Sequence, residues 1–267
     1  MKNIKNIHFI HANGYPPGAY SSLFSKINKS YKVNYFNLFS DKIDIKNLKN
    51  WEQFHKNFTK ELSYQSKTIG IGHSIGGNLI LRSAISHPEK FSKIVLLDPT
   101  LFTPKIIFFW KFIRLLRLDD SLHPLSKKTL NRKMIYEDYD SMYKSYRKKS
   151  IFKYINDKNL NIYIKSITKQ NKDKTIKITF PKEWEYKIYK TGIVEDNYIW
   201  KNIKNINIPT LILRANESNT FFKSAENKIN KIKNNNIKII SINECSHLFP
   251  MEIPEQVYKK IANFLNQ

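Results

Sequence analysis

The alternation of two hydrophobic patterns constrains the fold of this chain more than any other feature of its sequence. Short runs rich in β-branched and aromatic residues alternate with segments whose apolar residues recur every three or four positions. This alternation is typical of a parallel sheet that is covered by helices. The sequence therefore predicts an α/β fold, and 267 residues are enough for one large domain with a substantial core.

The pattern also locates the elements and one long interruption. Strands are predicted over 4–11, 31–38, 67–72, 93–97, 210–215 and 237–242, and helices over 20–28, 48–63, 75–86, 222–232 and 254–265. Residues 101–201 lack this rhythm, so we predict a helical insertion packed over one end of a sheet that is built from 1–100 and 202–267. Two apolar stripes within it are expected to pack inside the insertion or to line a substrate pocket. They are Ile106, Phe109, Ile113 and Leu116, and Tyr136, Tyr139, Tyr143 and Tyr146.

The net charge of +24 is spread along the chain rather than concentrated. Residues 1–100, 101–200 and 201–267 carry net charges of +8, +11 and +5, and lysine outnumbers arginine by 40 to 6. A nucleic-acid-binding protein is expected to cluster its charge and to use more arginine. We therefore expect no nucleic-acid partner and attribute the lysines to A/T-rich codons. A contact of Lys111, Arg114 and Arg117 with a membrane surface is the alternative.

The single cysteine, Cys245, excludes an intrachain disulfide, which fits a reducing compartment. The first residues lack the apolar core of an export signal, and no apolar run reaches the 18 residues expected of a transmembrane helix. These features predict a cytoplasmic protein.

Glycine is scarce, and its placement marks two segments. Six of the seven glycines lie at positions 14, 18, 70, 72, 76 and 77. The second segment contains Gly72-His73-Ser74-Ile75-Gly76, a G-x-S-x-G sequence between an apolar strand and an amphipathic helix. A serine on so sharp a turn brings strand and helix close together, so the positions two before and two after it must lack side chains. Ser74 is the predicted nucleophile.

A serine hydroxyl is a weak nucleophile and needs a base that removes its proton. Among the seven histidines, His247 follows the last predicted strand in a short loop. A loop after a parallel strand brings its side chain to the same edge of the sheet as Ser74. His247 is therefore the predicted base, and His11, at the end of the first strand, is a candidate for lining the site.

These residues make the chain resemble the α/β-hydrolases over nearly its whole length. The resemblance is carried in the expected order by His11-Ala12-Asn13-Gly14-Tyr15-Pro16, the turn at Ser74, and Ser246-His247-Leu248-Phe249-Pro250. It is especially similar to a bacterial subfamily with an H-A-N-G-[FY]-P loop and a G-H-L-F-P segment. The resemblance implies that the backbone amides of Tyr15 and Ile75 form the oxyanion hole and that the insertion is a cap. Asn13, Phe108 and Trp110 are further candidates for lining the substrate site.

The acid that orients His247 is left open between two carboxylates. In relatives an aspartate often follows the strand that corresponds to 210–215, and this chain has Asn219 there. An Asp-to-Asn change in a serine protease lowers turnover about 10⁴-fold, so Asn219 is a poor substitute. Some α/β-hydrolases resemble this chain in placing an acid at the position of Asp98, although an aspartate before Pro99 is also a common turn residue. Glu217 is the alternative acid.

We therefore expect a serine hydrolase without a metal or other cofactor. It would act on a carboxylic ester or thioester with a small to medium apolar acyl group, through an acyl-enzyme. Two alternatives remain. Asn219 and the replacement of a glycine by Ser246 are compatible with a binding protein that retains the fold without catalysis. The cationic insertion is compatible with a protein that binds anionic lipid or nucleic-acid surfaces.

Overall fold

The computed structural model describes residues 5–40, 42–62, 66–123, 125–192 and 196–267. Its first part alternates strands and helices along the chain. The strands are β1 (Asn6–Ile10), β2 (Lys32–Phe36), β3 (Thr68–His73) and β4 (Phe91–Leu97), and the helices are α1 (Ser21–Ile27), α2 (Glu52–Glu61) and α3 (Ile75–Ser86). Short 3₁₀ turns lie at Pro17–Tyr20 and Pro88–Lys90.

An insertion of about one hundred residues follows β4. Its helices are α4 (Pro104–Leu115), α5 (Asp119–Leu122), α6 (Ser126–Leu130), α7 (Tyr139–Arg147), α8 (Asp157–Ser166), α9 (Lys182–Gly192) and α10 (Asn197–Asn202). Three short strands, β5 (Ile135–Tyr136), β6 (Thr168–Gln170) and β7 (Ile176–Ile178), form a separate antiparallel sheet in the order β5-β7-β6. The sequence predicted a helical insertion, and these three strands show that the insertion is not purely helical.

The last part of the chain returns to the large sheet. It contains β8 (Thr210–Glu217), α11 (Lys223–Asn230), β9 (Ile237–Ser246), α12 (Phe249–Glu252) and α13 (Pro254–Leu265). The six strands lie in the order β2-β1-β3-β4-β8-β9, and all neighbouring pairs are parallel. The predicted α/β fold is thus confirmed. β2 lies on one side of β1 in the sheet and β3 lies on the other, so the chain runs in opposite directions along the sheet after β1 and after β3. The loops after these two strands therefore flank a crevice, and ligands commonly bind in a crevice of this kind.

Both faces of the sheet are buried, and alternate residues of each strand supply them. In β4, Val95 and Leu97 face one hydrophobic cluster, whereas Ile94 and Leu96 face the other. The first cluster includes residues of α1 and α13, and the second includes residues of α2, α3 and α11. This burial explains why the central strands have near-continuous apolar sequences.

The predicted elements of the sheet and its helices are present, with shifts of a few residues at their ends. The bounds of α3 and α13 agree with the sequence prediction. The predicted helix 48–63 shortens to α2, and position 63, like position 4 of the first predicted strand, lies outside the described residues. The predicted strand 237–242 extends to Ser246, so that His247 directly follows β9. None of the helices in the described ranges is long and apolar enough to span a bilayer.

Candidate active site

Ser74 lies on a strained turn between β3 and α3. Its backbone angles are φ 58° and ψ −119°, which side-chain-bearing residues seldom adopt. A Cβ atom added at Gly72 would lie 2.2 Å from the carbonyl oxygen of Gly76, and one added at Gly76 would lie 2.0 Å from that of Ile10. Both distances are far inside van der Waals contact. The steric requirement inferred from the G-x-S-x-G sequence is therefore confirmed.

Hydrogen bonds from the end of β4 hold this turn. The Ser74 amide donates to the Leu97 carbonyl at 3.0 Å, and the Thr100 amide donates to the Ser74 carbonyl at 2.9 Å. The hydroxyl oxygens of Ser74 and Thr100 are 3.2 Å apart. The turn is thus tied to the segment that carries Asp98, which fixes the spacing between these two parts of the site.

His247 and Asp98 form a close charge-assisted pair. The His247 Nδ1 atom lies 2.6 Å from Asp98 Oδ2, although 149 positions separate the two residues in the chain. Asp98 has no solvent-exposed surface and, like Ser74, has a positive φ, 42°. A neutral imidazole that donates from Nδ1 carries its lone pair on Nε2. The pair therefore leaves His247 Nε2 as the nitrogen able to accept a proton.

Three further donors satisfy the buried Asp98 carboxylate. The Ala215 amide donates to Oδ1 at 3.1 Å, and the hydroxyls of Ser218 and Thr220 donate to Oδ2 at 2.7 and 3.1 Å. The Thr220 hydroxyl oxygen also lies 2.9 Å from His247 Nδ1. Burying a carboxylate is costly unless its oxygens accept hydrogen bonds. The end of β8 and the loop after it thus supply the donors, while the carboxylate itself directly follows β4.

A buried hydrogen-bond chain links the backbone at His247 to the loop after β1. The carbonyl of His247 accepts from His73 Nε2 at 2.8 Å, and the Tyr20 hydroxyl lies 2.7 Å from His73 Nδ1. The Ala12 amide donates to the Tyr20 oxygen at 3.1 Å. Burial lowers the pKa of His73 well below 6.5. The neutral ring can therefore donate from Nε2 and accept from Tyr20 at Nδ1, so His73 is a structural residue that positions its neighbours.

The loop after β1 turns sharply at Gly14. Its φ of +83° is the value that a type II turn requires at its third residue, and the Tyr15 amide closes the turn by donating to the Ala12 carbonyl at 3.1 Å. This amide is therefore occupied in the structure, and its role as an oxyanion donor stays a prediction. The Ile75 amide lies at the first position of α3, where a helix offers no internal acceptor.

The insertion packs directly on this loop. The Asn13 side-chain amide donates to the Glu185 carbonyl at 2.9 Å, and the Tyr163 hydroxyl donates to the Gly14 carbonyl at 3.3 Å. Glu185 also pairs with Arg132. Burial raises the pKa of the Glu185 carboxyl, an effect that Arg132 opposes. The Asn13 Oδ1 atom is buried and has no hydrogen-bond partner in the described part of the chain, so Asn13 has one acceptor left over beside the turn.

The alternative acid, Glu217, lies elsewhere. Its carboxylate contacts Lys153 at 2.8 Å and the Tyr154 hydroxyl, both from the insertion, and the hydrogen bond from Lys153 lowers the pKa of Glu217. Asn219 is exposed. Of the two carboxylates, Asp98 is therefore the one that the structure brings to His247.

Two of the predicted lining residues are not where the sequence suggested. His11 is fully buried, and its ring nitrogens contact the Ala12 carbonyl at 2.8 Å and the Leu38 amide at 3.2 Å. It joins two segments of the core and does not line the site. Phe108 is 76% exposed on the outer side of α4, so its predicted place in an enclosed pocket is wrong. Trp110 is half-buried and packs near His123, with ring centroids 5.7 Å apart.

A sequence profile described as the α/β-hydrolase fold matches residues 48–254, which is more than half of the chain. The chain belongs to the α/β-hydrolase family. A search of curated proteins finds no match to this α/β-hydrolase.

Solved structures of hydrolases superpose on this α/β-hydrolase at low sequence identity. E-2-(acetamidomethylene)succinate hydrolase is 16% identical with a TM-score of 0.77, covering 98% of this chain and 92% of its own. The thioesterase domain from the curacin biosynthetic pathway is 16% identical with a TM-score of 0.69, covering 97% and 91%. A thermophilic esterase from Thermogutta terrifontis is 14% identical with a TM-score of 0.64, covering 98% and 89%. The profile match and these superpositions agree that the chain has the α/β-hydrolase fold.

Sequence reasoning missed the residues that support the His247–Asp98 pair. Thr220, Ser218 and Tyr20 have ordinary sequence surroundings, and only the fold brings them to the pair. One usable signal was present, because Ser218 and Thr220 follow a strand whose two neighbours in the sheet are directly followed by Asp98 and His247. Hydroxyl groups at that edge are suitable donors to a buried carboxylate.

Proposed function

We propose that this protein is a serine esterase or thioesterase in which Ser74 is the nucleophile, His247 the base and Asp98 the acid. The 2.6 Å contact between His247 Nδ1 and buried Asp98 carries the proposal, because it supplies the oriented imidazole that a serine nucleophile needs. The strained turn at Ser74 supports it further, since such a turn presents the hydroxyl at the crevice edge of the sheet.

Acylation begins when Ser74 Oγ attacks the carbonyl carbon of the ester. The hydroxyl proton passes to His247 Nε2, and the Nδ1–H bond to Asp98 stabilises the imidazolium that forms. When the tetrahedral intermediate collapses, the bond to the leaving alcohol or thiol breaks, and the leaving group takes the proton from Nε2. Ser74 then carries the acyl group.

The negative charge on the tetrahedral oxygen needs preorganised donors. The Ile75 amide is one, because its position at the start of α3 leaves it without an internal acceptor and within the positive end of the helix dipole. The Tyr15 amide is the second proposed donor. It serves only if its hydrogen bond to the Ala12 carbonyl is shared or released when substrate binds.

Deacylation repeats these steps with water as the nucleophile. His247 takes a proton from the water that attacks the acyl carbon, the second tetrahedral intermediate collapses, and the proton returns to Ser74 Oγ as the carboxylic acid leaves. No step in this scheme requires a cofactor.

The substrate is proposed to carry a small to medium apolar acyl group, with residues 101–201 acting as a cap over the core segments 1–100 and 202–267. Contacts of Asn13 and Gly14 with the insertion support the cap, because they bring its α8 and α9 against the loop after β1. Among the aromatic residues of α4, Trp110 remains a candidate for contacting the acyl group.

The proposal is tested by measuring kcat and KM for p-nitrophenyl acetate, butyrate and octanoate, with matched acyl thioesters. We expect turnover by the wild type and loss of about 10⁵-fold or more in Ser74→Ala. The matched control is Ser83→Ala, a buried serine of α3. A wild type that hydrolyses none of these substrates would instead favour a binding protein that retains the fold, and activity retained by Ser74→Ala would exclude Ser74 as the nucleophile.

A further inference from the structure

The outer side of α4 exposes five large apolar side chains. Phe108, Phe109, Phe112, Leu115 and Leu116, which we call the α4 apolar face, have 76%, 59%, 53%, 79% and 50% of their surface exposed. The opposite side of the helix is buried through Ile107 and Ile113. Single exposed apolar residues are ordinary, but a contiguous set of this size on one helix marks an interaction surface.

This face differs from the sequence expectation. The stripe Ile106, Phe109, Ile113 and Leu116 was expected to pack inside the insertion or to line a pocket, yet Phe109 and Leu116 lie in solvent. The spacing of the five exposed residues, at i, i+1, i+4, i+7 and i+8, gives a second apolar face, directed outward. The helix is therefore apolar on two sides, and packing within the chain uses only one of them.

Cations lie along α4 and just after it, and the next acidic residue in the chain, Asp119, pairs with Lys190 at 3.6 Å. Lys105, Lys111 and Arg117 are exposed, Arg114 is half-buried, and the sequence from Pro99 to Leu118 contains no aspartate or glutamate. Among the described residues, none of the ion pairs involves these four cations. An apolar helix face bordered by lysine and arginine fits a surface that is apolar within and negatively charged at its boundary.

We propose that the α4 apolar face binds the surface of a bilayer that contains anionic phospholipids. The five apolar side chains enter the boundary between headgroups and acyl chains, and the three exposed cations, Lys105, Lys111 and Arg117, contact the headgroup phosphates and carboxylates. The helix lies parallel to the membrane plane, because its 12 residues are fewer than the roughly 20 that crossing a bilayer requires. The aliphatic stems of the lysines can lie along the apolar boundary while their ammonium groups stay in the headgroup layer.

Charge and shape favour a bilayer over a protein. A second copy docked on the same face would bring its three exposed cations close to the same three here, on chains that each carry +24. The most exposed side chains, Phe108 and Leu115, project from the helix. A lipid surface adapts to such projections, whereas a protein partner would need a groove of matching shape.

The test is cosedimentation of the full chain with sucrose-loaded vesicles of phosphatidylcholine alone and of phosphatidylcholine with one-third phosphatidylserine. We expect stronger binding to the anionic vesicles and weaker binding as salt rises. Phe112→Ser with Leu115→Ser should weaken partition about tenfold or more. Lys105→Gln and Lys111→Gln should each weaken it about fivefold at low salt.

Matched controls change exposed apolar residues and exposed lysines elsewhere on the surface. Ile135→Ser with Ile151→Ser replaces residues that are 51% and 44% exposed, and Lys29→Gln with Lys46→Gln replaces exposed lysines outside the insertion. Neither control should alter partition, and thermal melting of every variant shows whether it is folded. Binding that is absent in the wild type, or equal in the α4 variants and the controls, would overturn the proposal.

Two further outcomes are decisive. Self-association in sedimentation velocity that is lost in Phe112→Ser/Leu115→Ser, without vesicle binding, would show that a second copy covers the face. Ser74→Ala should bind vesicles like the wild type, because the surface does not depend on the proposed chemistry. Failure of vesicle binding with intact esterase activity would therefore reject only the membrane proposal.

Discussion

Replacing Asp98 by asparagine tests the His247–Asp98 pair with almost no change in shape. The carboxylate accepts four hydrogen bonds, one at Oδ1 from the Ala215 amide and three at Oδ2 from His247, Ser218 and Thr220. An amide offers only one acceptor oxygen and introduces two N–H donors. In either orientation, the NH₂ group of the new side chain therefore faces an N–H or O–H group that now donates to Asp98.

The two orientations have different consequences. With the amide oxygen at the Oδ2 position, its NH₂ group opposes the Ala215 amide, and the buried loop is destabilised. With the NH₂ group at that position, it opposes His247 Nδ1–H, and the ring is driven to the tautomer that is protonated on Nε2. That tautomer has no free electron pair for the serine proton. We expect kcat to fall about 10⁴-fold, which corresponds to about 5.5 kcal/mol in the barrier.

The assay compares kcat and KM for p-nitrophenyl butyrate in wild type, Asp98→Asn and the rival variant Glu217→Gln. Glu217 is half-exposed and contacts Lys153, and exposed pairs of this kind contribute little, so Glu217→Gln should stay within about twofold of the wild type. Urea unfolding shows whether each variant remains folded. A folded Asp98→Asn enzyme that keeps more than about a tenth of wild-type kcat would refute the assignment.

Two further predictions concern residues around the site. Thr220→Val removes the hydroxyl that contacts both Asp98 Oδ2 and His247 Nδ1, so kcat should fall about tenfold with little change in KM. The control is Thr191→Val, at a buried threonine of α9. An equal loss of kcat in the control would contradict a positioning role for Thr220. Burial lowers the pKa of His11 from 6.5 to about 4. The unfolded chain therefore binds more protons than the folded one between these values. The stability from His11 is present above pH 6.5 and is lost as pH falls toward 4, by about 1.4 kcal/mol per pH unit. The free energy of unfolding, measured by urea titration at several pH values in this range, should depend less steeply on pH in His11→Gln than in the wild type. An unchanged slope would contradict the prediction.

The sheet and its helices were largely predictable because their signals are local. The apolar spacing of Ile75–Ser86 and Pro254–Leu265 located α3 and α13, and the glycines located the turn at Ser74. The steric conflict at Gly72 involves Gly76 and Gly77, which lie only a few residues away in the chain. Such short-range requirements are visible in a single sequence.

The insertion was less predictable because its elements depend on tertiary contacts. Strands of two or three residues, such as Ile176–Ile178, are too short for an alternating pattern to identify them. The direction of each face of α4 was also undetermined, since the helix is apolar on more than one side and periodicity alone does not say which side the protein covers. Phe108 was assigned to the pocket for that reason.

The candidate site was more predictable than the insertion and less predictable than the sheet. The G-x-S-x-G sequence predicted Ser74 as the nucleophile, and the position of His247 after the last strand predicted the edge of the sheet at which the structure has it. The choice between Asp98 and Glu217 required coordinates, because Asp98 directly follows β4 and Glu217 ends β8 at the same edge of the sheet. In the strand order β4-β8-β9, the ends of β4 and β9 lie on either side of β8, and Asp98 contacts His247 there while Glu217 contacts Lys153.

The central claim, that Ser74 is an activated nucleophile, is tested most directly by locating the adduct of a fluorophosphonate. The protein is treated with the reagent, digested and analysed by peptide mass spectrometry, with His247→Ala and Ser83→Ala treated in parallel. We predict one phosphonyl group on Ser74 in the wild type and in Ser83→Ala, and very slow labelling in His247→Ala. An unlabelled wild type, or an adduct on a different residue, would contradict the account.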